Sequence, residues 1–200
     1  PYLFLDATFI NARWARAVEN VSVLVAYGVN TDGKRRLLAV TLGSEESEAS
    51  WTALLEGVLE RGLSGLQLVV SDAHAGLIKA VRRLLPEVPH QRCTVHLMRN
   101  VLAKTPNRLR GRVGGELSKI FQAPSRQSAQ KALEDFATGL GAQIPEALSC
   151  LREGFAAATA ERRFSVVIAH GQACVMGSRL WQFGSSEGVF GGLPWLTLPW

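Results

Sequence analysis

The stretch Tyr2-Leu3-Phe4-Leu5-Asp6-Ala7-Thr8-Phe9 sets a lone carboxylate inside an apolar, strand-forming run. An ionised Asp among such neighbours loses hydration worth roughly several kcal/mol unless a cation or hydrogen bonds replace it. The pattern returns further on as Leu66-Gln67-Leu68-Val69-Val70-Ser71-Asp72, again an apolar strand that delivers an Asp, here at its end. Two carboxylates on two buried strands are a natural seat for a divalent metal.

Outward from the first strand, Val21, Val23, Val25, Tyr27 and Val29 alternate at period two, the pattern of a half-buried strand. Asn30-Thr31-Asp32-Gly33 is a turn, and residues 35–42 supply a third strand, so residues 20–42 read as a hairpin. Paired beside the first strand it gives a three-stranded antiparallel meander. Residues 44–50 hold three glutamates and helix-starting serines, after which Trp51, Leu54, Leu55 and Val58 form the apolar stripe of a helix packed on a sheet. Gly62 closes that helix, and the strand ending at Asp72 follows. Leu77, Val81, Leu84 and Leu85 then face inward, with Lys79, Arg82 and Arg83 outward, until Pro86 stops a second helix. Residues 91–96 read as a short fifth strand. Three antiparallel strands followed by helix, strand, helix, strand describe an α/β layer with a mixed sheet.

From Leu97 the periodicity is helical. Pro106 and Pro124 bound segments, Ser125 can cap a helix with Ala129, Ala132, Leu133, Phe136 and Leu140 on one face, and Pro145 opens another. Residues 97–163 read as an all-helical block after the sheet, within a unit spanning 1–163. At about Phe164 the composition changes: residues 165–200 hold only two charged groups, Arg179 and Glu187, together with three of the five tryptophans and six glycines. No period persists there, and a selected sequence keeps its local and global signals in agreement. Residues 164–200 read as an aberrant, unstructured tail translated out of frame, in preference to a flexible adhesive one.

The bulk numbers bound the partners. The net charge is +5, yet residues 79–131 alone hold twelve Lys/Arg against two acids. A field so concentrated suits a polyanion, although a solvated helix face would look the same. Cys93, Cys150 and Cys174 are odd in number and widely spaced, which speaks against a disulfide framework and for a reducing, cytoplasmic setting. No uncharged run reaches the roughly 18–20 residues of a membrane span, so a membrane partner is not expected. The start at Pro1 reads as a fragment whose upstream part is missing.

Other residues carry weaker signals. His74, two after Asp72, is either a helix-start residue or a hydrogen-bonding support for the carboxylate. Cys93-Thr94-Val95-His96 is half of a zinc-ligand spacing with no second pair, and as nucleophile and base it has no orienting third group. Arg92, Arg99, Asn100 and Lys104 flank it with donors suited to phosphate oxygens. An aspartyl-phosphate chemistry would require a second Asp where Thr8 stands.

Collectively these blocks resemble bacterial insertion-sequence transposases of the mutator type. The match lies in Tyr2-x-x-Leu5-Asp6-Ala7, Trp51-x-x-Leu54-Leu55 with Arg61-Gly62-Leu63, Val70-Ser71-Asp72-Ala73-His74-x-Gly76-Leu77, and Pro89-x-Gln91-Arg92-Cys93-x-Val95-His96-x-x-Arg99-Asn100. The blocks keep the family order and spacing over residues 1 to about 158. The resemblance implies a ribonuclease-H-like core interrupted by a helical insertion, and an Asp-Asp-Glu triad with Asp6 first and Asp72 second. It implies two divalent metals, usually magnesium, that serve phosphodiester hydrolysis at the element's ends and strand transfer into target DNA. Cys93 and His96 would shape the site beside the metals. Terminal-repeat and target DNA are the implied partners, with self-association of the intact protein and a place at the bacterial nucleoid.

The third carboxylate is where the chain departs. The family's Glu stands in a Glu-Arg-x-Asn context roughly a hundred residues after the second Asp, and here that distance falls on Ser186-Glu187-Gly188-Val189. The glycines oppose a helix, so the role is not carried onto Glu187. The expectation is a truncated transposase of little or no activity, with a non-catalytic nucleic-acid-binding remnant of the same fold as the alternative. Translating the encoding DNA in its other two frames beyond residue 163 is expected to reveal Glu-Arg-x-Asn. Its absence from both frames would restore the flexible-tail reading.

Overall fold

The structure, a computed structural model, describes residues 1–14, 17–43 and 45–160. The tail from residue 164, with Glu187, lies outside the described residues. The sheet comprises β1 (Tyr2–Trp14), β2 (Ala17–Val29), β3 (Arg35–Gly43), β4 (Leu68–Ser71) and β5 (His90–Arg92) in the order β3-β2-β1-β4-β5. Strands β1, β2 and β3 run antiparallel as the expected meander, while β4 lies parallel to β1 and β5 parallel to β4. This mixed five-stranded order, with helices in the crossovers, is the ribonuclease-H-like arrangement.

Local chemistry accounts for the turns and caps. Asn30 Oδ1 accepts from the Asp32 and Lys34 amides at 3.1 and 2.8 Å, and Gly33 takes the left-handed φ of 75° that the turn demands. Helix α1 (Glu48–Glu60) opens on a Ser47–Ser50 capping box and is closed by Gly62 at φ 91°. Helix α2 (Ala75–Leu84) follows β4, and the chain breaks at Pro86 as expected. On β3 the register shifts opposite Ala26 and Tyr27, leaving Leu38 extra, and Arg61 Nη2 donates to the Leu38 carbonyl at 2.6 Å. A bulge with its carbonyl capped blunts this edge strand.

The two faces of the sheet have separate cores. Leu3, Leu5, Leu24, Ala26 and Val69 pack under the stripe Trp51, Leu54, Leu55, Val58 of α1 and Leu77, Ala80, Val81 of α2. On the other face, Phe4, Tyr27, Val29, Leu68, Val70 and Cys93 cluster, with Phe4 and Tyr27 stacked at 4.9 Å between ring centroids. A third core lies among α3 (Thr94–Ala103), α4 (Arg110–Gln122), α5 (Arg126–Thr138) and α6 (Pro145–Ala158), filled by residues such as Leu97, Val113, Leu117, Leu133, Phe136 and Leu151. Ser125 caps α5 in a capping box with Ser128, and Pro145 occupies the first turn of α6. Leu140, read from the sequence as part of the α5 face, falls in a 3-10 turn beyond its end.

One boundary differs from the sequence reading. Residues 91–96 do not form a strand: β5 ends at Arg92, Cys93 is the N-cap residue, and α3 begins at Thr94. The β-branched Thr94 and Val95 suggest a strand, but Leu97 and Val101, spaced at i, i+4, must reach the helical core. Burial overrides local preference here.

Helices α1 and α2 approach closely at their starts, where a Cβ on Gly76 would stand 2.7 Å from the Glu48 backbone nitrogen. Gly76→Ala is therefore expected to cost about 1–3 kcal/mol. Gly57→Ala, on α1 with no atom within 4 Å of the added Cβ, is expected to add about 0.5–1 kcal/mol. Urea unfolding of both variants checks the contrast, and equal effects would contradict the close helix packing.

Candidate active site

Strand β1 runs to Trp14, but its parallel neighbour β4 stops at Ser71, opposite Leu5. Asp6 and Asp72 occupy the next position on each chain, where neighbouring parallel strands lie about 4.8 Å apart. Beyond that point β4 leaves a notch beside β1, and Asp6 stands at its mouth with 5% of its surface exposed. Asp6 follows Phe4 at period two, so it shares the face of the Phe4–Tyr27 stack. Phe4, Tyr27, Val70, Cys93 and His96 line a small cavity with Asp6. Asp72 is half-buried, and the Ala73 amide donates to its Oδ1 at 2.7 Å.

The β5–α3 junction supplies the wall of the notch. The Cys93 amide donates to the Ser71 carbonyl at 2.7 Å, which carries the β4–β5 pairing one residue past β5. Cys93 is buried against the Phe4 cluster. Because α3 starts at Thr94, His96 comes from the first helical turn and its Nε2 lies 3.6 Å from Asp6 Oδ1. That is too long for a hydrogen bond but close enough for an electrostatic interaction when the imidazole is protonated.

The remaining candidates divide. His74 is the N-cap residue of α2, with Nδ1 3.4 Å from Glu46 Oε1. Arg99, Asn100 and Lys104 are exposed, at the outer side and end of α3. Arg92 is not spread on the surface with them: its Nε is buried without a hydrogen-bond partner among the described residues, and a Cβ on Gly154 of α6 would meet its Nη1 at 2.6 Å. The exposed basic set is extended by Arg108 and Arg112, near the start of α4. Among the described residues, no group of three or more His, Cys, Asp or Glu side chains gathers in a metal-binding arrangement.

Two features went unread in the sequence. Ser71 donates its hydroxyl to the Asp72 carbonyl at 2.8 Å and also meets His90 Nε2 at 2.7 Å. With the hydroxyl proton committed, His90 Nε2–H is the donor of that second bond. Burial, and secondarily the Arg82 charge, lowers the His90 pKa from its ordinary 6.5. The other is Glu46, whose partner Trp51 is a buried indole that needs an acceptor.

The sequence profile of the family described as "Transposase, Mutator family" matches residues 1–170. The chain is 42% identical over 135 residues to the transposase for insertion sequence element IS406 of Burkholderia multivorans, covering 67% of this chain and 35% of that protein. It is 39% identical over 140 residues to the transposase for insertion sequence element ISRM5 of Rhizobium meliloti, covering 70% and 34%. The chain thus spans about a third of the length of these curated relatives. Among solved structures, it is similar to the HTLV-2 integrase catalytic core domain in complex with magnesium (dimeric form) at 12% identity and a TM-score of 0.29, over 60% of this chain and 86% of that one. So slight an overlap leaves the strand order to define the fold. No helix among the described residues is long and apolar enough to cross a membrane.

The depressed His90 has a consequence for stability. Below about pH 6.5 the unfolded chain takes up a proton there that the folded chain resists, so stability falls with pH until the folded pKa is passed. Its contribution is no steeper than one proton, about 1.4 kcal/mol per pH unit. His90→Gln, which keeps an amide donor for Ser71, is expected to flatten urea-unfolding stability between pH 7.5 and 5 relative to the parent. Parallel curves for the two proteins would contradict this assignment.

Proposed function

This chain belongs to the mutator family of transposases, and we propose that it carries the catalytic core with which such an enzyme hydrolyses and transfers DNA strands at the ends of an insertion sequence. The observation that supports this most is the placement of Asp6 and Asp72 at adjacent positions where β4 ends. Two carboxylates from neighbouring strands present hard oxygen ligands of the kind magnesium takes alongside water and substrate phosphates. Asp6 is 5% exposed, in a setting of low polarity where its charge acts strongly on a nearby cation. The bound ions would supply Lewis acidity to the phosphodiester and stabilise charge on its oxygens; a second cation requires a third carboxylate.

The chain's own residues do the rest. Asp6 and Asp72 would hold the cation, and the wall formed by Phe4, Tyr27 and Cys93 keeps one side of Asp6 dry, which strengthens its charge interactions. His96 bears on Asp6 from α3 and restrains the carboxylate's orientation. Arg99, Asn100 and Lys104, with Arg108 and Arg112, offer exposed donors for phosphate oxygens along one continuous run of chain. Residues from about 97 to 163 are read as a helical insertion that carries this surface. In the complete family protein, the DNA partners are terminal repeats and target, handled by an oligomer.

The reading assigns two acids of a triad, Asp6 and Asp72, and a core limited to those two is expected to be impaired in cleavage. The exposed basic run together with the two-acid site also favours a second reading, a remnant that binds nucleic acid without cutting it. Manganese titration followed by electron paramagnetic resonance is expected to show weak binding that Asp6→Asn abolishes. Arg99→Ala with Lys104→Ala is expected to flatten the dependence of log K on log salt by about 0.9 for each duplex-DNA phosphate the variant no longer neutralises. Salt-steep DNA binding with no manganese site favours the remnant. Nicking or joining of terminal-repeat DNA by the 200-residue chain, at the rate of an intact family member, would refute the impairment.

A further inference from the structure

A carboxylate outside the Asp6–Asp72 pair is largely buried beside the turn that follows Asp72. Glu46, in the loop entering α1, has a side chain only 15% exposed. Fully buried Trp51 donates its indole Nε1–H to Glu46 Oε1 at 3.1 Å. His74 Nδ1 lies 3.4 Å from that same oxygen and is itself buried, with no hydrogen-bond partner among the described residues. A buried ring nitrogen is costly to leave unpaired, and the Glu46 carboxylate can accept more than one donor.

The surrounding backbone is built for this approach. Gly76 lets the start of α2 lie against Ser47 and Glu48, where a Cβ would come within 2.7 Å of main-chain nitrogen. Lys79 Nζ approaches Glu48 Oε2 at 3.9 Å across the same joint. The entry loop of α1 is thus pressed against the segment from His74 to Gly76, directly after Asp72 and Ala73. Among the described residues, Asp72 has only the Ala73 amide holding one oxygen, at 2.7 Å, so its bearing depends on how that turn is held.

We propose that Glu46 is a positioning residue: by anchoring the ring of His74 to the mouth of α1, it fixes the Asp72–His74 turn and thereby sets how Asp72 faces Asp6. This rests on the reading of Asp72 as a metal ligand, although the clamp itself does not require metal. The competing account makes Glu46 only an acceptor for Trp51, with His74 a bystander. Both accounts predict loss of stability in Glu46→Ala. They differ in what happens at Asp72 and in whether His74 and Glu46 act as one unit.

Hydrogen exchange of the 71–77 segment and manganese affinity would be measured on the full chain and on Glu46→Ala, Glu46→Gln, His74→Ala and the Glu46→Ala/His74→Ala double variant. Glu46→Ala is expected to speed exchange of the segment and weaken manganese binding about tenfold, the scale for losing a support to a metal ligand. Glu46→Gln, which keeps the accepting oxygen, is expected to restore both. His74→Ala, which leaves the Trp51 bond intact, should loosen the segment equally, and the double variant should be no worse than either single one. Unchanged exchange in both single variants, additive effects, or Gln behaving as Ala would overturn the clamp. Loosened exchange with parental manganese affinity would overturn its positioning of Asp72. Should the parent bind no manganese, the metal-site reading fails, while the exchange data still decide the clamp.

Discussion

The structure depends on one constraint, the burial of the Asp6 carboxylate at the point where β4 leaves the sheet. A strand-centre Asp with 5% exposure is tolerable only where something meets its charge. The sheet provides the place by stopping β4 at Ser71 while β1 continues to Trp14. The first crossover helix seals one face of β1 through Leu3 and Leu5. On the other face the Phe4–Tyr27 stack and Cys93 exclude water from the carboxylate's flank. What opens toward Asp6 is then the notch, with Asp72 on the facing strand end and His96 above it.

Much of this was legible in the sequence because the signals were strong and local. Period-two valines, the Asn30–Gly33 turn, the stripe from Trp51 to Val58 and the prolines at 86 and 145 each impose one structure for a stated steric or solvation reason. The sequence shows Asp6 inside one apolar strand and Asp72 at the end of another, and the structure sets those strands side by side with Leu5 paired to Ser71. The β5–α3 boundary was not legible, since Thr94 and Val95 prefer strands and only the distant core packing of Leu97 and Val101 makes them helical. Roles set by side chains reaching across the fold were hidden too. Glu46 reads as one of three ordinary helix-start acids until Trp51 and His74 are seen to converge on it. Arg92, a candidate phosphate donor in the sequence, has its guanidinium against Gly154, a placement that no local pattern announces.

That placement of Arg92 bears on how the helical block is joined to the sheet. The core of α3 to α6 is separate from both sheet cores, so the block needs its own attachment. Part of it is covalent, through the short passage from β5 into α3. The rest runs through α6, whose Gly154 has no side chain and so admits both Leu97 of α3 and the Arg92 guanidinium of β5. An Arg at this joint covers apolar surface with its stem while its head lies against helix backbone. The exposed Arg99 and Lys104, a few residues further along α3, are thereby held at a set distance from the Asp6 notch.

Charge then separates into two regions with opposite demands. At one, Asp6 and Asp72 directly follow Leu5 and Ser71, which are paired on neighbouring parallel strands. Residues 79–131 hold twelve Lys/Arg against two acids, seven of the twelve after α3, and create a field that draws in polyanions. A phosphodiester carries negative charge and is repelled by carboxylates, so under the proposed function the acidic site and the basic surface work together through a cation at one and phosphates resting on the other. Neither half alone distinguishes a DNA-processing core from an ordinary acidic pocket or a solvated helix. Their joining through Arg92, Cys93 and His96, within eight residues from Arg92 to Arg99, places both demands on one short rigid segment. A clamp at Glu46 would complete the same logic on the other side: β5 and α3 fix the wall beside Asp6, and α1 fixes the turn that carries Asp72.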